Sequence, residues 1–130
     1  MHALVVDDSA IIRKILTAYL QRFGFEVTVA EDGRQALDRL RAMATSDLVL
    51  VDWNMPEMDG ITFIRAVRAE ADYATLPLIM VTTNSDRSHV AEALDAGANA
   101  YIMKPCTADM MREKLTLLGF AVYDYLTFHS

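Results

Sequence analysis

Four short runs along the chain are continuously apolar. They are residues 3–6 (ALVV), 48–51 (LVLV), 78–81 (LIMV) and 100–103 (AYIM). A strand of a parallel sheet is covered on both faces, so it has apolar residues throughout rather than at every second position. A fifth run, residues 26–30 (EVTVA), alternates more and is typical of an edge strand. The pattern therefore predicts five strands.

Between and after these runs, apolar residues recur at helical spacing. The first helical segment is marked by Ile11, Ile12, Ile15, Leu16, Tyr19, Leu20 and Phe23, and the others lie within residues 36–44, 61–67, 90–97 and 110–118. Gly24, Gly97 and Gly119 are predicted to end three of these helices. Strict alternation of strand and helix requires right-handed crossovers. It predicts a doubly wound α/β fold, with a five-stranded parallel sheet and helices on both faces.

Composition and charge limit the classes of protein to which this chain can belong. The chain has 130 residues, is 53% hydrophobic and carries a net charge of -6. This size suits one domain, predicted over residues 1–118, followed by an apolar tail of residues 119–130. An acidic chain has no basic field for nucleic acid, and no apolar run approaches the roughly 20 residues that span a bilayer. With one cysteine and no signal peptide, we expect a cytoplasmic protein with no membrane association.

Polar residues follow the predicted strands at the point where each one ends. They are Asp7 and Asp8, Asp52, Thr82 and Lys104. In an open parallel sheet the carboxyl ends of the strands meet at one edge, where binding sites form. We therefore expect three carboxylates, a hydroxyl and an ammonium group to converge.

Three neighbouring carboxylates repel one another unless protons or a cation lie between them. Mg²⁺ fits this donor set, because it prefers oxygen ligands and is usually held by one or two carboxylates together with phosphate oxygens. One carboxylate could then accept a phosphoryl group, while Lys104 and Thr82 stabilise the charged phosphoryl oxygens. The residues thus predict a magnesium-assisted aspartyl phosphate.

A family resemblance rests on these same residues together with the segment VDWNMPEMDG at positions 51–60, Tyr101 and Pro105. The set resembles the receiver domains of two-component signalling, and the segment around Asp52 is most similar to the single-domain chemotaxis regulators. The match runs from about Leu4 to about Leu118. It implies a flavodoxin-like sheet with strand order 2-1-3-4-5.

The resemblance also implies roles for individual residues. Asp52 would be the phosphoacceptor, and Asp8, Asp52 and the backbone carbonyl of Asn54 would bind Mg²⁺, with Asp7 acting through water. Tyr101 would turn inward when Thr82 engages the phosphoryl group.

Further expectations follow from the family. Asn54 and Asn84 would tune the rate at which the aspartyl phosphate is hydrolysed. The side chain of Thr83 would occupy space that Tyr101 needs when it turns inward. The partners would be a sensor histidine kinase and a downstream target protein. The chain would be a switch that assists its own phosphorylation and dephosphorylation rather than an enzyme.

Alternative interpretations exist for the function. The chain could be a receiver domain from a longer regulator, or a receiver-like module that is never phosphorylated. A phosphohydrolase of the haloacid-dehalogenase type also uses an aspartyl phosphate, but its nucleophile lies in an Asp-x-Asp motif directly after the first strand, where this chain has Asp7, Asp8 and Ser9.

Several residues also have purely structural interpretations. Asp8 or Ser9 could cap the first helix. Gly60 could supply backbone freedom in the turn after Asp52, and His89 could be a solvated surface residue.

The tail sequence FAVYDYLTF at residues 120–128 is too apolar and aromatic for a flexible linker. Its composition favours an extra strand, which would pair with a sheet edge of its own chain or, in a homodimer, of a neighbour. The alternative is that the tail packs against the fifth helix of its own domain or is disordered.

Overall fold

The computed structural model describes residues 1–84, 86–122 and 124. Each predicted apolar run forms a strand: β1 (His2–Val6), β2 (Glu26–Ala30), β3 (Leu48–Val51), β4 (Leu78–Thr82) and β5 (Ala100–Met103). The strands are parallel and lie in the order β2-β1-β3-β4-β5. This confirms the predicted flavodoxin-like topology and places β2 at an edge.

Within the described residues, five helices connect and follow the strands: α1 (Ala10–Arg22), α2 (Gly33–Ala42), α3 (Gly60–Ala69), α4 (Arg87–Ala96) and α5 (Ala108–Leu117). A 3-10 turn, Ala71–Tyr73, precedes β4. None of the helices within the described ranges is long and apolar enough to cross a bilayer.

Side-chain caps explain where the helices begin. The caps are Ser9, Asp32, Asp59, Asp86 and Thr107, and each accepts a hydrogen bond from a backbone N–H in the first turn. Gly24, Gly97 and Gly119, at φ of 93°, 125° and 92°, follow helix ends as predicted. Because Ser9 rather than Asp8 caps α1, the Asp8 side chain is left available for another role.

The core consists of two apolar clusters, one on each face of the sheet. Successive residues of a strand point to opposite faces, so Leu4 and Val6 pack toward α2, α3 and α4, while Ala3 and Val5 pack toward α1 and α5. Every residue of β3 is fully buried. The central strand therefore holds the residue that follows it, Asp52, in a fixed position.

The described part of the tail packs on its own domain. The Phe120 ring contacts Phe25 edge to face, with ring centroids 5.6 Å apart, and its N–H donates to the carbonyl of Leu115. Residues 120–122 and 124 form neither helix nor strand, so the predicted extra strand is wrong for them. Residues 123 and 125–130 lie outside the described part, and the homodimer stays a prediction.

Candidate functional site

Two neighbouring strands bring the predicted carboxylates together. Asp7 follows β1 and Asp52 follows β3, and these strands pair with Val6 opposite Val51. One oxygen from each of Asp7, Asp8 and Asp52 lies within 4.8 Å of the others. The acidic cluster predicted at the carboxyl edge of the sheet is thus present, with Asp7 and Asp52 buried and Asp8 exposed.

Lys104 supplies the positive charge in this cluster. Its Nζ lies 2.8 Å from Asp7 Oδ2 and 3.2 Å from Asp52 Oδ2. The Lys104 backbone N–H donates to the carbonyl of Thr82, which anchors the residue next to the end of β4. One ammonium group therefore bridges the two buried carboxylates, although a charge of -2 on Asp7 and Asp52 exceeds its +1.

Backbone groups orient the two buried carboxylates. The Ser9 N–H donates to Asp7 Oδ1 at 2.9 Å, and the Trp53 N–H donates to Asp52 Oδ1 at 2.7 Å. Both oxygens of Asp7 are thus engaged by the protein, one by Ser9 and the other by Lys104. Both oxygens of Asp52 are likewise engaged, by Trp53 and Lys104, so neither buried carboxylate has an oxygen without a partner.

The pKa of the Asp52 carboxyl is raised, chiefly because burial disfavours its charged form and secondarily because of the Asp7 charge. Lys104 and a hydrogen bond from Thr82 oppose this shift without cancelling it. For Lys104, burial alone would lower the pKa, but its interactions with Asp7 and Asp52 outweigh burial and raise it. The ammonium group therefore stays charged, but its single positive charge does not offset the burial of Asp52 and the negative charge of Asp7.

The raised pKa of Asp52 predicts that the stability of the folded chain depends on pH. Because the pKa of Asp52 is higher in the folded than in the unfolded chain, its contribution to stability decreases as the pH rises above the ordinary value of 3.8. Without metal at pH 7, Asp52→Asn should increase the free energy of unfolding, by on the order of 1 kcal/mol. Urea denaturation at pH 7 and at pH 4 measures this difference, which should shrink at the lower pH.

Asp38→Asn is the matched control for that measurement, because Asp38 is an exposed carboxylate on α2. It should leave the unfolding free energy nearly unchanged at both pH values. A loss of stability in Asp52→Asn at pH 7 would contradict the proposed cost of the buried charge.

Thr82, Asn84 and Tyr101 form a chain of contacts leading away from the carboxylates. Thr82 is fully buried at the end of β4, and its Oγ1 accepts a long 3.4 Å hydrogen bond from the Asn84 N–H. The half-buried Tyr101 donates its hydroxyl hydrogen bond to the Asn84 carbonyl, and the Thr83 side chain is exposed. An inward turn of Tyr101 would break its bond to Asn84, and this switch role stays a prediction.

The loop after Asp52 is shaped by close packing at Gly60 rather than by backbone freedom. A Cβ at Gly60 would lie 2.2 Å from the Asp52 carbonyl oxygen, and the Gly60 N–H donates to Trp53. The residue of this loop with a left-handed backbone is Glu57, at φ of 65°. The interpretation of Gly60 as a flexible turn residue is therefore wrong.

Two contributors to the site escaped the sequence analysis. Arg13 on α1 donates from Nη1 to the Asp7 carbonyl at 2.7 Å and lies 3.8 Å from Glu31, so it braces the acidic loop. His89 is not a freely solvated residue, since its ring contacts Trp53 edge to face with centroids 4.9 Å apart. Helical spacing marks both positions as lying on α1 and α4 but does not reveal these partners.

The donors present fit Mg²⁺. They are hard carboxylate oxygens, and Asp8 is exposed and accepts no hydrogen bond from the described residues. The Asn54 carbonyl, two residues beyond Asp52, likewise accepts none from them. Asp8 and Asn54 thus retain free oxygen acceptors, whereas Asp52 would coordinate a cation through an oxygen that already contacts Trp53 or Lys104.

Comparison with known proteins agrees with this site. The family model for the response regulator receiver domain matches residues 3–116. A chemotaxis protein CheY1 of Helicobacter pylori is 42% identical over 119 residues, covering 91% of this chain and 96% of that protein. A chemotaxis protein CheY of Pseudomonas aeruginosa is 42% identical over 116 residues, covering 88% and 93%.

A solved structure gives the same result. Chemotaxis response regulator CheY4 of Vibrio cholerae superposes with a TM-score of 0.83 and 35% identity, covering 90% of this chain and 97% of the other. The chain therefore belongs to the response regulator receiver domains, the CheY-like domains of two-component signalling.

Proposed function

We propose that this chain is a phosphorylation-dependent switch that accepts a phosphoryl group on Asp52 from a sensor histidine kinase. The observation that carries the proposal is the setting of Asp52, a carboxylate at the end of a fully buried strand, clustered with Asp7 and Asp8 and 3.2 Å from the Lys104 ammonium group. Phosphoryl transfer is catalysed mainly by positioning and charge stabilisation, and this arrangement supplies both.

Mg²⁺ would be held by the carboxylates of Asp8 and Asp52 and the Asn54 carbonyl. Asp7 would act through water, as the family resemblance implies, while its oxygens keep their contacts with Ser9 and Lys104. When bound, the ion supplies the positive charge that Lys104 alone does not provide and offsets charge on the phosphoryl oxygens. The chain's own residues then orient the acceptor.

In the transfer step an Asp52 carboxylate oxygen attacks phosphorus and forms the new O–P bond. The bond between phosphorus and the histidine nitrogen of the kinase breaks, and its electron pair leaves with that nitrogen. Lys104 and Thr82 would then interact with the phosphoryl oxygens, since both already lie beside Asp52. Hydrolysis by water would return the carboxylate and release inorganic phosphate.

The signal would reach a downstream target through α4, β5 and α5. Thr82, Asn84 and Tyr101 connect the acceptor to this face, where Leu94, Met103 and Leu117 expose apolar side chains. The curated relatives named above are chemotaxis proteins. A target in chemotaxis signalling is therefore our proposal for this chain.

An intact-mass measurement after treatment with acetyl phosphate and Mg²⁺ tests the function. A switch should gain one phosphoryl group per chain and lose it slowly. Steady release of phosphate from a phosphate ester such as p-nitrophenyl phosphate would instead indicate the phosphohydrolase. No mass increase at all would favour a module that is never phosphorylated.

Metal binding gives a second prediction. Trp53 is buried, and its backbone N–H donates to Asp52, so the indole lies close to that carboxylate and its fluorescence should change when Mg²⁺ alters the charge there. Asp8→Asn should raise the Mg²⁺ concentration at the midpoint by at least about tenfold, because loss of even an outer-shell partner has an effect of that size. A fluorescence titration measures the midpoint, and Asp38→Asn serves as the matched control. Equal midpoints for Asp8→Asn and the wild type would refute the ligand assignment.

A further inference from the structure

The C-terminal segment holds a carboxylate in a site of its own, beyond the region that matches the receiver family, residues 3–116. Asp124 is only 6% exposed. Its two oxygens accept hydrogen bonds from Arg22 Nε at 2.9 Å and Nη2 at 3.0 Å, and from Arg112 Nη1 at 3.1 Å. Two arginines from different helices, α1 and α5, therefore converge on one carboxylate.

The body of the domain arranges these arginines. The guanidinium carbons of Arg22 and Arg112 lie 5.5 Å and 5.9 Å from the centre of the Phe23 ring, which is fully buried. Such cation–π contacts help to hold both groups above the same ring. Two guanidinium groups so close together repel each other unless an anion lies between them. The pair thus forms a fork-shaped receptor for a carboxylate.

An aromatic contact completes the receptor four residues earlier in the segment. Phe120 packs edge to face on Phe25, and Val122 between them packs against the same apolar cluster. We name the surface formed by Arg22, Arg112, Phe23 and Phe25 the arginine–aromatic site. It holds the aromatic side chain of Phe120 and, four residues later, the carboxylate of Asp124.

The segment reaches this site through Gly119, which has a left-handed backbone with no atom within 4 Å of a Cβ built there. The contacts with the arginine–aromatic site are all made by residues after Gly119. An aromatic ring and a carboxylate on a separate chain would therefore make the same contacts. Helix α1 begins at the carboxyl edge of the sheet, next to Asp7, and ends at Arg22. The arginine–aromatic site and the phosphoacceptor therefore lie at opposite ends of α1.

We infer that the arginine–aromatic site is a docking site for an acidic–aromatic segment of a partner protein, and that the chain's own tail is the occupant that such a partner displaces. Charge complementarity indicates the kind of partner. Two uncovered copies of this surface facing each other would bring four arginines together, whereas an acidic segment neutralises the two arginines of one site. A short tether gives the tail an effective concentration of about 1 mM. The partner must compete with that concentration, so the site is autoinhibited.

The test uses the full chain and a labelled synthetic peptide with the sequence of residues 119–130. In the chain carrying Asp124→Asn, the tail no longer supplies the carboxylate but keeps nearly the same shape. This variant should bind the peptide at least about tenfold more tightly than the wild-type chain, as expected for loss of a charge-assisted competitor. Fluorescence anisotropy measures both affinities.

Two controls make the test decisive. A peptide with Asp124→Asn should bind the variant chain about tenfold more weakly, and adding Arg22→Gln to that chain should weaken binding of the unaltered peptide similarly. Equal binding by the two peptides, equal binding to the two chains, or no binding up to about 1 mM would overturn the proposal.

A second measurement avoids dependence on the variant chain. In NMR spectra of the isotope-labelled wild-type chain, millimolar unlabelled peptide should displace the tail and shift the backbone amide signal of the chain's own Asp124, and the Asn peptide should shift it much less. Spectra in which the Asp124 amide signal stays in place, including those of a dimer that forms elsewhere on the surface, would count against the arginine–aromatic site.

Discussion

Asp52→Asn is expected to abolish phosphorylation by acetyl phosphate and Mg²⁺, so that intact-mass spectra show no added phosphoryl group. The amide nitrogen and the neutral amide oxygen are far weaker nucleophiles than a carboxylate oxygen. The fold should be retained, because Asn keeps the shape of Asp52 and removes a buried negative charge whose pKa is already raised by burial. Circular dichroism of the variant checks that its fold is intact.

Two carboxylates serve as controls for this result. Asp38 lies on the exposed face of α2, so the Asp38→Asn variant should be phosphorylated as fully as the wild type. The Asp7→Asn variant should be labelled more slowly but still at Asp52, since Asp7 lies next to Lys104 and is not the proposed acceptor. Undiminished labelling of Asp52→Asn would refute the phosphoacceptor assignment.

Gly60→Ala should destabilise the fold by about 3 kcal/mol or more. The added Cβ would lie 2.2 Å from the Asp52 carbonyl oxygen and 2.9 Å from the Trp53 Cα, both of which are backbone atoms that no side-chain rotation can move away. Relief of this clash requires the loop after Asp52 to shift. Urea denaturation measures the loss, and the Mg²⁺ midpoint should rise with it.

Gly119→Ala is the matched control, because the position is left-handed but open. No atom lies within 4 Å of the added Cβ, so the cost should be the backbone strain alone, about 1 kcal/mol. Equal losses for the two alanine variants would show that close packing at Gly60 does not support the acceptor loop.

Much of the fold follows from local patterns in the sequence. The run LVLV at residues 48–51 is buried on both faces, as its lack of alternation predicts, and Gly24, Gly97 and Gly119 follow helix ends as their backbone freedom predicts. These features depend on neighbouring residues within a few positions. The strand order was predicted from the family resemblance rather than from periodicity, and the sheet confirms it.

The gathering of Asp7, Asp8 and Asp52 was also predictable from the sequence. Each follows an apolar run, and parallel strands place their carboxyl ends at one edge. The residues that brace this cluster were not predictable in the same way. Arg13 and His89 lie on helices whose spacing shows which face is buried, but the spacing does not identify the Asp7 carbonyl or the Trp53 ring as their partners.

The sequence by itself determined the strands, the helices and the residue types at the strand ends, because burial and backbone preference act on neighbouring positions. Only the tertiary structure decided contacts between distant residues that do not follow strand ends, such as Arg22 with Asp124 across 102 positions. Such pairs form where packed elements happen to bring complementary charges together. The composition of the tail predicted that it docks, but its site depended on how α1 and α5 pack around Phe23, which no local pattern specifies.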